Sequence, residues 1–267
     1  MIPAALRYVR PGSVEEALAA LAEPDAKALA GGQSLVSVLK LRVARPDLVV
    51  DISRLELAGI EMRDGGLRIG ALTTWADLAA AAELGRPALA ALAECAAGIG
   101  DLQVRNRGTI GGSLAHADPA SDMPAVLLAL GASVAVRSAD GERTIAAREL
   151  FLGPFTTALA DGELLTEIAV PLPPARSGSA YASVAHPASG FALAGAAALV
   201  RPDGSSSVAV TGIGTMPFLL DGEPDEALAA AEILGDRFAP AEYRRHLARV
   251  VVDRALAAAA ARAKEDA

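Results

Sequence analysis

Apolar positions in this chain follow two periods. Val14, Ala17, Leu18 and Leu21 recur at helical spacing, so one face of that segment is apolar and it reads as a helix. Ser13 stands at its N-cap, and Glu15 and Glu16 fall in the first turn, where the helix dipole favours acid. Residues 4–10 and 48–52 read as strands, and residues 27–30 as a buried strand. Residues 34–41 carry a second, shorter helical pattern. Pro11-Gly12-Ser13, Glu23-Pro24-Asp25 and Arg45-Pro46 punctuate these runs. Residues 1–55 are therefore expected to form a β-α-β-α-β layer.

Further on, residues 60–63 and 67–70 flank Asp64-Gly65-Gly66, a hairpin signal. Thr73-Thr74 would cap a helix from Trp75 to about residue 82. Pro87 would open another through residue 97. Ser121-Asp122-Met123-Pro124 would start an apolar helix that Gly131 ends, with Pro124 in the first turn, where its missing amide costs nothing. Residues 133–138 and 143–146 read as strands around Asp140-Gly141. Residues 151–155 read as a Gly- and Pro-containing connection, and residues 164–170 as a strand. The prolines from Pro171 to Pro174 and the following Ser177-Gly178-Ser179 suggest a boundary. Beyond it, two strands (192–200 and 207–212) and two helices (225–234 and 241–264) suggest α on a small antiparallel sheet.

Two glycine stretches stand out: Ala30-Gly31-Gly32-Gln33-Ser34-Leu35, and Thr109-Ile110-Gly111-Gly112-Ser113-Leu114 running on to Asp122. Each reads as a loop before a helix. There, glycine permits close backbone approach and amides can face an anion. As structure alone, a Gly-Gly pair is a turn or a tight helix–strand contact. The first stretch lacks the spacing of a Rossmann site or a P-loop. Asp118 and Asp122 read either as helix caps or as acceptors of sugar hydroxyls. His116 has no neighbouring nucleophile and reads as a ligand contact or a packing residue. Arg105 and Arg107 would be a solvated face, or would reach a diphosphate or a partner subunit.

Composition narrows the chemistry. With 267 residues and 52% hydrophobic content the chain can build a substantial core, but aromatics are only 3%, so Ala, Leu and Val must fill it. A net charge of −8 argues against nucleic-acid binding, which needs a basic face. The single cysteine, Cys95, cannot ligate an iron–sulfur cluster alone, and His116, His186 and His246 lack zinc-site spacing. No metal site is expected, and any redox chemistry would need an organic cofactor. No segment has transmembrane character, and the N-terminus has no leader-like apolar core; the chain reads as cytoplasmic.

Ala30 to Leu35, Gln103-Val104-Arg105-Asn106-Arg107-Gly108-Thr109-Ile110-Gly111-Gly112-Ser113 and Ala115-His116-Ala117-Asp118-Pro119-Ala120-Ser121-Asp122 together resemble the FAD-binding subunit of molybdenum hydroxylases. The likeness is to the medium subunit of aerobic carbon monoxide dehydrogenase and the FAD domain of xanthine dehydrogenase. Arg7-Tyr8-Val9-Arg10-Pro11, Gly70-Ala71-Leu72-Thr73-Thr74 and Asp161-Gly162-Glu163-Leu164-Leu165-Thr166 also fit, so the resemblance spans nearly the whole chain. It implies an α+β protein with a vanillyl-alcohol-oxidase-like (PCMH-type) FAD-binding domain over 1–175, made of α/β subdomains 1–55 and 56–175. A C-terminal α+β domain over 178–267 would follow.

By the same resemblance, Ala30, Gly31, Gly32, Gln33, Ser34 and Leu35, with Leu29 beside them, would hold the diphosphate of a non-covalent FAD. Thr109, Gly112, Ser113 and His116 would line the cofactor, and Asp122 would take a sugar-like hydroxyl. Leu164 or Leu165 would lie near the adenine or isoalloxazine ring, and Phe191 would reach the flavin from the C-terminal domain. Gln33 stands where many carbon monoxide dehydrogenase subunits have His, and Phe191 where many have Tyr. The implied role is electron transfer, with the molybdenum cofactor in a large partner subunit and 2Fe-2S clusters in a small one, and with no catalytic acid or base in this chain. The alternative is a stand-alone flavin oxidoreductase with its own substrate, or a subunit that has lost flavin and acts as a scaffold.

Overall fold

The computed structural model describes residues 2–265; Met1, Asp266 and Ala267, at the ends of the two expected domains, lie outside them. The chain starts with β1 (Arg7–Val9), α1 (Val14–Leu21), β2 (Ala26–Leu29), α2 (Leu35–Lys40) and β3 (Leu48–Asp51). Strand β3 lies between β1 and β2 and is parallel to both. It is central and fully buried because α1 covers it. Ser13 caps α1 as expected, its Oγ accepting the Glu16 amide. Strand β2 is not buried. Lys27 and Ala28 are exposed, because β2 is the edge of this sheet and borders the cleft described below.

A second layer follows. It contains β4 (Ile60–Arg63), β5 (Gly66–Gly70), α3 (Trp75–Ala80), two 3-10 turns (Ala82–Gly85 and Pro87–Leu89), α4 (Ala90–Gly98), α5 (Leu102–Arg105), α6 (Ile110–His116), α7 (Met123–Ala129), β6 (Ser133–Ser138), β7 (Gly141–Ala146), α8 (Ala147–Leu150), β8 (Phe151–Gly153), β9 (Thr156–Thr157) and β10 (Leu164–Pro171). The order β4-β5-β10-β6-β7 is antiparallel throughout. The expected connection over 151–155 is in fact half of the small β8–β9 hairpin. Thr74 closes a reciprocal cap with Asp77 at the start of α3. Every residue of α7 is buried. It packs with Leu92 and Cys95 of α4 and Leu114 of α6 in one apolar cluster with Ile69, Val134 and Ile168 of the sheet. Each fully buried Leu, Ile, Val or Met among them contributes roughly 1.5–3 kcal/mol.

The C-terminal part contains β11 (Gly178–Ala185), β12 (Ala192–Val200), β13 (Ser206–Thr211), β14 (Phe218–Leu219), α9 (Pro224–Ala230) and α10 (Ala241–Glu265), with the four strands antiparallel in that order. The sequence reading missed β11, because its Gly, Ser and Ala side chains give no alternating pattern. Its place comes from pairing along all of β12. Strand β12 is rich in alanine, five of its nine residues, because both of its faces are covered, one by α10 and the other by α7. Helix α9 stops at Ala230, short of the expected 234, since Ala231 is already extended.

Candidate functional site

A cleft of about 650 Å³ opens between the first layer, the α6 region of the second, and the tip of the β11–β12 hairpin. That volume is in the range of small-molecule and cofactor sites.

One wall is the first glycine stretch. Gly32 has φ +79, which lets the chain turn off the edge strand into α2. The amides of Gly31, Gly32, Gln33, Ser34 and Leu35 donate to no group among the described residues, and Ser34 makes no side-chain cap. Unpaired N–H groups beside a helix start form a concavity that favours an anion.

The facing wall is the second glycine stretch, and here the expected loop is a helix. Thr109 caps α6, its Oγ1 accepting the Gly112 amide at 3.2 Å. Gly111 and Gly112 lie in the first turn. Their neighbourhood is stitched to the end of β5: Ile110 N donates to Thr73 O, Gly111 N to Ala71 O and Trp75 N to Gly108 O. Residues Thr74 and Thr109 form an antiparallel bridge. The amides of this helix start are therefore used within the chain, so side chains and shape, not free N–H groups, are what this wall offers.

Ala30, Gly31, Gly32, Gln33, Ser34, Leu35, Thr109, Gly112, Ser113, His116, Asp122, Leu164, Leu165 and Phe191 all line this single cleft. Leu29 does not. Its side chain packs behind the turn, against the position a Gly32 Cβ would take. Arg105 and Arg107 are also outside the cleft, and the Arg105 guanidinium instead binds the carbonyls of Ile99 and Gly100.

The polar groups divide by role. Ser113 and Ser121 hydroxyls bond at 2.9 Å. The His116 ring lies 5.2 Å from that of Phe155, a packing arrangement with no acid or nucleophile bonded to it. Asp118 Oδ1 accepts the Ala120 amide and so shapes the turn. Asp122 precedes α7 but does not cap it. Its Oδ1 accepts from the Tyr181 hydroxyl, and burial pushes its pKa up to about 6, the phenol hydrogen bond opposing that rise. Phe191 follows Gly190 at the hairpin tip and is half exposed there.

Lys27, Trp75, Phe155, Thr157 and Glu163 also line the cleft. Only Glu163 was part of a stretch singled out in the sequence; the others sit in segments whose local pattern says nothing of a ligand. Arg143 holds the Glu163 carboxylate with two hydrogen bonds of 2.7 Å and keeps its pKa below the ordinary value. Among the described residues, no group of three or more His, Cys, Asp and Glu is placed to hold a metal ion, and no helix is long and apolar enough to cross a membrane.

Residues 4–173 match the family described as the FAD binding domain in molybdopterin dehydrogenase. The chain is 41% identical to the 6-hydroxypseudooxynicotine dehydrogenase complex subunit alpha of Paenarthrobacter nicotinovorans, over 99% of this chain and 97% of that one. It is 36% identical to the carbon monoxide dehydrogenase medium chain of Afipia carboxidovorans, over 99% and 100%. Its fold superimposes on a chain of carbon monoxide dehydrogenase from Hydrogenophaga pseudoflava with TM-score 0.92 and 37% identity, covering 98% of this chain and 99% of that one.

Proposed function

This chain belongs to the FAD-binding domain family of molybdopterin dehydrogenases, and from that premise we propose that it is the medium, flavin-carrying subunit of a molybdenum hydroxylase. FAD binds non-covalently in the cleft. Electrons arrive from the 2Fe-2S clusters of a small subunit, and a large subunit carries the molybdenum cofactor and oxidises the substrate. FAD supplies the redox chemistry when bound, accepting electrons and handing them on. The compartment is the cytoplasm.

The observation that carries the site assignment is the convergence of the two glycine stretches on one cleft, with a run of five unpaired amides on one side only. That asymmetry fits a dinucleotide. The amides of Gly31 to Leu35 hold the diphosphate, while Thr109, Ser113 and Asp122 offer hydroxyl and carboxylate oxygens to a polyol or ribose. Leu164, Leu165 and Phe191 present apolar surface to a ring. The chain's own task is to bind, orient and exclude water, and no side chain is assigned a proton-transfer step.

Purified full chain should carry yellow flavin that acid precipitation releases as FAD, and pull-down from its native source should bring molybdenum and iron subunits with it. A colourless protein that takes up no FAD on reconstitution would remove the reading. Reduction of the isolated chain by an organic substrate would replace it with a stand-alone oxidoreductase.

A further inference from the structure

Behind Asp122 stands Tyr181, a residue outside the cleft lining and on a different part of the fold. Asp122 precedes α7, whereas Tyr181 is on β11 of the C-terminal sheet. Two hydrogen bonds to α4 fix the strand that carries the phenol. Ala91 N, at the start of α4, donates to Ser179 Oγ at 3.0 Å. Tyr181 N donates to Glu94 Oε2 at 3.0 Å, and Arg262 of α10 binds the same carboxylate. Room for the hydroxyl is made by Gly195 on β12, where a Cβ would stand 2.3 Å from the Tyr181 oxygen. The phenol thus reaches Asp122 through a gap in the alanine-rich strand. Since Oδ1 is taken by Tyr181, Oδ2 is the carboxylate oxygen left without a partner among the described residues.

We propose that Tyr181 is a positioning residue: it clamps Oδ1 of Asp122 so that Oδ2 is presented to a hydroxyl of the bound cofactor, which makes the C-terminal sheet part of the grip on FAD. This rests on the reading of the cleft as an FAD site. An ionised carboxylate accepts hydroxyl hydrogens more strongly than a neutral acid. Burial already pushes Asp122 towards neutrality, with its pKa near 6, and the Tyr181 hydrogen bond opposes that. The other titratable groups around the pair are Cys95 and Glu94 on α4, the latter paired with Arg262. His116 of α6 lines the same cleft. On α8, Arg148 and Glu149 pair with each other in solvent, and β12 and β13 contain no titratable side chain.

The test is the FAD dissociation constant of the full chain between pH 5 and 8, read by flavin fluorescence. Wild type should bind more weakly as pH falls through about 6. Tyr181→Phe keeps the ring and removes one oxygen. It should bind about tenfold more weakly at pH 7, the order expected of one hydrogen bond to a charged group, with its pH midpoint moved up. Asp122→Asn should give a flat profile, and the double variant should be no weaker than Asp122→Asn. A Tyr181→Phe profile that overlays wild type overturns the proposal, as does a double variant about tenfold weaker than Asp122→Asn. A pH-dependent profile in Asp122→Asn overturns it even if Tyr181→Phe does not fold. Wild type that binds no FAD at any pH instead removes the FAD reading itself.

Discussion

A Cβ on Gly31 would stand 1.9 Å from the carbonyl oxygen of Arg107. Two stretches far apart in sequence therefore touch backbone to backbone, and no side chain fits between them. Gly31→Ala can be accommodated only by prising the cleft walls apart. Its cost should be roughly 1–3 kcal/mol, as for overpacking a filled core, with most bound flavin lost. Gly85→Ala, where a Cβ meets nothing within 4 Å, is the matched control and should retain both. Thermal melts and the flavin-to-protein absorbance ratio read the two effects together.

Gly32 poses a different constraint. Its φ of +79 is one that an L residue adopts at a cost of roughly 1–2 kcal/mol, and Val36 and Leu29 already crowd its side-chain position. Gly32→Val should give a folded but weakened chain that retains no FAD. Full flavin occupancy in this variant would mean that the turn does not hold the diphosphate.

Thr109 holds the second wall in shape. Losing its cap to the Gly112 amide should cost about 1 kcal/mol in Thr109→Ala, while Thr109→Ser, which keeps the acceptor, should melt close to wild type. Calorimetry of the two variants distinguishes a capping hydroxyl from a bulk effect.

Asp122 gives the clearest pH signature. Its pKa in the folded chain is raised to about 6 from an ordinary value of 3.8, first of all by burial. The folded state then binds a proton that the unfolded chain has already lost, so this group lowers stability as pH rises between those two values. The penalty is complete above about pH 6. Two pKa units correspond to roughly 3 kcal/mol. Asp122→Asn should therefore stabilise the cofactor-free chain at pH 8 and have little effect at pH 3.5. Equal melting shifts at both pH values would contradict this. A carboxylate kept at such a cost is consistent with its use by a ligand.

Ser179 joins the C-terminal sheet to α4. Ser179→Ala would leave the buried Ala91 amide without a partner, a loss of about 1–3 kcal/mol. Hydrogen exchange at the start of α4 should speed up in this variant, while exchange in β3 should not change.

Several features were legible in the sequence because each is a local rule. Ser13 and Thr74 announced helix starts because a hydroxyl there accepts an amide a turn away. Asp64-Gly65-Gly66 announced a hairpin because Gly65 accepts the positive φ that the two-residue turn requires. The in-order series of stretches from Arg7 to Thr166 identified the family, and with it the FAD-domain fold, because several short motifs in a fixed order are far more specific than any one glycine pair. Other features could not be read in this way. Strand β11 has no alternating apolar pattern and exists because β12 offers it a full ladder. Residues 109–114 looked like a loop because two adjacent glycines weaken a helix; capping by Thr109 and the bonds to Ala71 and Thr73 override that local preference.

The sequence alone determined which short segments turn and that Ser13 and Thr74 cap helices, since these follow from the conformational limits of neighbouring residues, and it singled out two glycine stretches as loops before helices. Only tertiary structure decided that their roles differ. The amides from Gly31 to Leu35 stay unpaired while those of Ile110 to Ser113 are consumed by the chain itself, and Asp122 answers to Tyr181 rather than to its own helix. Those outcomes depend on which strand edge lies beside which backbone, and hydrogen-bond partners brought together from distant segments leave no periodic trace in the residues between them.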